Sequence, residues 1–103
     1  MTGDLAVELD RVVDRLRSMP LTKLSAPWPP YPSRAAGARA LAQRLADAAA
    51  DVSGEPRRVV PDVGDSAVGD QVAVTGADLI ALEPPEELAH FAANAVREVR
   101  LTL

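Results

Sequence analysis

The chain has no cysteine. That excludes disulfides, a thiol nucleophile and a thiolate metal site. An excess of positive charge is missing too: 11 Lys and Arg stand against 15 Asp and Glu, for a net charge of −4. Nucleic-acid binders present a basic face, and nothing basic stands out beyond Arg57-Arg58, so nucleic acid is not an expected partner. Lys23 is the only lysine, and Gly64, Gly69 and Gly76 match no glycine-rich phosphate loop, so no nucleotide cofactor is expected. No run is apolar for long enough to span a bilayer. The acidic start Met-Thr-Gly-Asp-Leu-Ala-Val-Glu is unlike a secretory signal, so a cytoplasmic location is expected. Aromatics are only 3%, one each of Trp, Tyr and Phe. Large apolar anchors are therefore scarce, and the core must come from Leu and Val among many alanines. Such a core gives modest stability, which self-association can supplement.

What is present describes a globular chain. Its 103 residues suit one helical domain over 1–103. Apolar residues make up 48% and charged residues 25%, which is too apolar for a disordered segment. The heavy use of Ala, Arg, Val and Asp resembles that of a high-GC bacterial genome.

Hydrophobic periodicity predicts four helices. From Asp4 to about Met19, Leu5, Leu9, Val12, Val13 and Leu16 form one apolar face. Glu8–Arg11, Arg11–Asp14 and Asp14–Arg17 are then i, i+3 pairs on the wet face. Pro20 stops this helix, and residues 20–32 read as a proline-rich connection with Leu21 and Leu24 tucked beneath it. Ser33 is a good N-cap for a second helix, Arg34 to about Asp51, with Ala38, Leu41, Ala42, Leu45, Ala48, Ala49 and Val52 inward. Gly37 weakens its second turn by up to ~1 kcal/mol relative to alanine, and Gly54 is a plausible C′ residue. Residues 53–65 form another connection, in which 57–60 are extended without a partner strand. Asp65 can cap a third helix to about Leu82, with Val68, Val72, Thr75, Leu79 and Ile80 on one face. A strand through 71–75 competes locally, but the helical pattern is longer. Pro85, Glu86 and Glu87 start a fourth helix whose apolar face is Leu88, Phe91, Ala92, Ala95, Val96 and Val99. The expected fold is all-α: a small four-helix bundle-like domain, its third and fourth helices forming a hairpin, with the long proline-rich connection after the first.

The chemistry-bearing residues are sparse. His90 lies one turn from Glu86 and Glu87, an arrangement more often found on a solvated surface than in a general base. Asp62, Asp65, Asp70 and Asp78 do not follow a calcium-loop pattern. No catalytic residue, metal ligand or cofactor site is therefore expected, and the chain does not read as an enzyme. Two features remain. Ala26-Pro-Trp-Pro-Pro-Tyr-Pro-Ser33 holds the only Trp and Tyr on a stiffened backbone, making Trp28, Pro29, Pro30 and Tyr31 the candidate binding residues. Trp28 is expected to pack mostly on the chain's own helices, with the Tyr31 hydroxyl toward water. Gly69, Ala73 and Gly76 form a stripe of small residues suited to close helix packing or to a subunit interface. The leading reading is a non-enzymatic protein–protein interaction module, with a second copy of the chain among its expected partners. The alternative is a small-molecule-binding domain lidded by Trp28 and Tyr31.

Overall fold

Helix-forming periodicity wins throughout: a computed structural model describes residues 3–103 as all-helical, with no strand among them. The helices are α1 (Gly3–Ser18), the single turn α2 (Leu21–Leu24), α3 (Arg34–Ser53), α4 (Val68–Ala81) and α5 (Glu86–Thr102). A 3-10 turn, Asp65–Ala67, leads into α4. Residues 71–75 are helix. The Cα radius of gyration, 12.9 Å, is that of a compact chain of this length.

Local chemistry sets most boundaries. Ser33 caps α3 by accepting a hydrogen bond from the Ala36 N–H at 3.0 Å. Gly54 ends it in the left-handed conformation, φ 73°, which glycine adopts without strain. Asp65 does not cap α4. Its carboxylate is drawn away to the Ser25 hydroxyl at 2.9 Å and to Arg39 at 3.7 Å. Pro85 precedes α5 as its N-cap residue rather than lying inside the first turn. The expected connection at 20–32 contains α2, because Pro20 has the extended backbone of a helix N-cap and its carbonyl accepts from Lys23 and Leu24. Leu24 is buried there, but Leu21 is exposed.

The long helices run in two directions. Arg17 meets Asp70, and Leu9 lies on Gly76, so α1 and α4 are antiparallel. Residues 55–64 form an extended strap running back along α3, from Arg57 at Asp51 to Asp62 at Arg39. The strap returns the chain to the beginning of α3, so α3 and α4 run parallel. Helices α1 and α5 are also parallel: Asp4 lies beside His90, and Arg15 beside Arg100. The main packing contacts join α3 to α4, α4 to α1, and α1 to α5. The expected hairpin of the last two helices does not form as a packed pair, because α1 takes the inner faces of both α4 and α5.

The core follows the predicted α1 stripe, with Leu5, Leu9, Val12, Val13 and Leu16 all buried, and gathers Leu41, Leu45, Val68, Val72, Leu79 and Val96 around it. Two expectations for the rest fail together. Glu8 is not on the wet face but buried, at 2% exposure. Phe91 is not in the core but 66% exposed. The inward face of α5 is Ala89, Ala92, Ala93 and Val96. Arg97 and Arg100 turn toward Glu8 and rotate the helix accordingly, while the small alanines let it lie close.

Candidate functional site

Four places hold the residues with chemistry to offer. The first is the aromatic loop. Trp28 and Tyr31 bracket the Pro29-Pro30 peptide, which is cis, and pair their backbones across it: the Tyr31 N–H donates to the Trp28 carbonyl at 2.9 Å. Their rings stack with centroids 5.6 Å apart and planes 18° from parallel. The Trp28 indole N–H donates to the Thr102 carbonyl at 3.1 Å, tying the loop to the last turn of α5. Its six-membered ring lies where a Cβ on Gly37 would be. Trp28 is thus half-buried on its own core while Tyr31 is exposed, and a lidded pocket beneath Trp28 is filled on that side by the ring itself. Gly37, which reads in sequence only as a weak point in a helix, is what admits the ring. Only its position one turn after a cap, near an isolated Trp, could have hinted at that.

The small-residue stripe is used internally. A Cβ on Gly76 would stand 2.6 Å from Leu9 Cδ1, and one on Gly69 would stand 3.1 Å from Arg17 Cγ. Gly69 and Gly76 are buried against α1, and Ala73 is half-buried beside them. Gly69 and Gly76 of the stripe therefore serve the packing of α4 on α1.

The third place is the strap. Gln43 of α3 holds it as a neighbouring strand would: its side-chain oxygen accepts from the Val60 N–H at 2.7 Å, and its amide donates to the Arg58 carbonyl at 2.9 Å. Gln71 of α4 donates to the Pro61 carbonyl at 2.7 Å. The Arg57 guanidinium hydrogen-bonds Asp51 and holds its carboxyl below the ordinary value. These anchors turn the Arg58 carbonyl toward α3 and lay Val60 against the core. Val59 is 86% exposed, and neither its N–H nor its C=O has a partner among the described residues. Val59, Val63 and Val74 stand exposed around a groove of about 460 Å³ between the strap and α4, lined almost wholly by carbon.

The fourth place is the carboxylate that sequence reasoning left on the surface. Glu8 accepts from Arg97 Nε at 2.9 Å and from Arg100 Nε at 3.0 Å, with Arg11 at 3.8 Å. Burial alone would raise its pKa. The hydrogen bonds from the two arginines outweigh that, and the group titrates below its ordinary value. The pair of arginines one turn apart on α5 was the only sequence signal for this cluster.

The remaining candidates stay apart. His90 is exposed on α5 near Asp4, Glu86 and Glu87, and makes no ion pair among the described residues. Asp62 pairs with Arg39 at 3.1 Å, Asp70 with Arg17 at 2.7 Å, and Asp65 with Ser25, while Asp78 is exposed on α4. Among the described residues no three acidic or imidazole groups converge as metal ligands, and no helix is long and apolar enough to cross a membrane. Comparison with protein-family models, with curated proteins and with solved structures finds no match to this chain.

Proposed function

We propose that this chain is a non-enzymatic protein–protein interaction module of the cytoplasm, built as a four-helix bundle-like domain whose proline-rich connection closes one end. The observation that carries the reading is the strap: an extended segment with an open backbone edge at Val59, beside an apolar groove edged by Val63 and Val74. An extended apolar segment of a partner protein fits it. Such a segment can add backbone hydrogen bonds to an open edge and set aliphatic side chains into the neighbouring groove. Pro56 and Pro61 limit the pairing to the few residues between them and guard the edge against indiscriminate association.

The test is photo-crosslinking from a benzoylphenylalanine placed at Val59 in the host cell. One partner should be captured, its cross-link should map to an extended segment, and Val63→Asp with Val74→Asp should abolish it. Capture that is indifferent to those two substitutions would refute the reading.

A further inference from the structure

The seam between α1 and α5 has opposite charge at its two ends. At one end, the first turns of both helices carry Asp4, Glu86 and Glu87. At the other, Arg11, Arg15, Arg97 and Arg100 outnumber Glu8, Asp14 and the exposed Glu98. Each helix alone shows an ordinary dipole-matched pattern, acids first and bases last. The parallel packing of α1 and α5 adds the two patterns instead of cancelling them. Glu8 accepts from the guanidinium groups of Arg97 and Arg100, so that part of the basic end is held in place before anything binds. Arg15 has no carboxylate within ion-pair distance among the described residues. Leu101 stands exposed beside Arg15 and Arg100, apolar surface that a partner could cover.

We propose that the α1–α5 seam is a self-association surface on which a second copy of this chain docks antiparallel, its acidic end on the basic end of the first. A two-fold axis across the seam maps each end onto its opposite in the other copy, so one surface complements itself. The four helix dipoles then also lie antiparallel across the interface. A nucleic acid or another polyanion would meet the basic end but be repelled by Asp4, Glu86 and Glu87; a second copy satisfies both. The seam shares no residue with the strap groove, so either proposal can fail without the other.

Sedimentation equilibrium of the full chain up to roughly 1 mM is the test. The wild-type chain should form dimers at low salt and dissociate toward monomers in about 1 M salt, where the Debye length is about 3 Å. Arg11→Glu with Arg15→Glu, or Glu86→Lys with Glu87→Lys, should each raise the dimer dissociation constant at least about tenfold. Mixed in equal amounts, the two reversed proteins should associate as well as wild type. If circular dichroism shows that a reversal unfolds the chain, Arg15→Gln and Glu87→Gln replace it and should each weaken the dimer. A wild-type chain that stays monomeric, a dimer untouched by these changes, or reversed proteins that do not rescue each other would overturn the proposal.

Discussion

Gly37 carries two opposing effects. Replacing it with alanine should favour the α3 helix by up to ~1 kcal/mol. The new Cβ would, however, meet the six-membered ring of Trp28, whose loop is stiffened by proline and tied to Thr102. A rigid ring on a rigid loop cannot yield by a rotamer change, so the collision should prevail. Gly37→Ala is expected to cost about 1–3 kcal/mol net, within the range for overpacking, and to shift tryptophan emission to the red as the indole is displaced. A gain in denaturation midpoint with unchanged emission would show that the loop accommodates the methyl. Gly76 presents a different obstacle, the flexible end of Leu9. Gly76→Ala should therefore be nearly neutral, because the leucine can turn. Gly76→Leu has no such outlet against α1 and should cost about 1–3 kcal/mol. Chemical denaturation of the two variants side by side measures the difference.

At the scale of elements, one amide holds the middle of the strap. Gln43 satisfies the Arg58 carbonyl and the Val60 N–H together, so Gln43→Ala leaves both without their partner. The strap lies mostly in water, which can replace these bonds, so the expected global cost is only about 1 kcal/mol. The local effect should be larger: hydrogen exchange and proteolysis should accelerate within residues 55–64 and leave α1 unchanged. Uniform acceleration along the chain would refute that picture. Helix α5 makes the complementary point. The 3.6-residue pattern predicts a helix starting at Pro85 with an apolar face of Leu88, Phe91, Ala92, Ala95, Val96 and Val99; Ala92 and Val96 are indeed buried, but Phe91 is not. The buried face keeps Ala92 and Val96 but turns toward Ala89 and Ala93, because two arginines on the same helix have a buried partner. Size and apolarity rank Phe91 as the natural anchor, yet a specific ion pair outweighs that ranking, and no reading of α5 by itself could show it.

For the molecule as a whole, Glu8 joins α1 to the last turns of α5, and through Thr102 the same end of α5 holds Trp28. The carboxyl titrates below its ordinary value in the folded state. The sign follows: folding favours the charged form, so its contribution is complete above the ordinary carboxyl pKa of about 4.3 and is lost as pH falls through the lower folded value. Glu8→Gln should remove that contribution and leave the two arginines facing a neutral group. The expected cost near pH 7 is about 2 kcal/mol, less than the ~3–5 kcal/mol of a fully buried pair because Arg97 is half in water. The difference in stability between wild type and Glu8→Gln should shrink on acidification below pH ~4. Urea denaturation across pH measures this, and a gap that persists to pH ~2 would show that the charge is not what holds the seam.

Local pattern alone determined that the chain is helical, roughly where its long helices lie, that α1 supplies the core stripe, and that no cysteine chemistry is available. Those properties depend on neighbours within a turn or two: caps at Ser33 and Gly54, the stop at Pro20, leucines one helical turn apart. The tertiary structure decided which way the helices run, that the small stripe at Gly69, Ala73 and Gly76 faces α1, that Gly37 seats Trp28, and that the strap leaves Val59 open. It also decided that Glu8 lies inside and Phe91 outside. Those outcomes rest on pairs far apart in the chain, where one residue's best position depends on a partner that no local periodicity encodes.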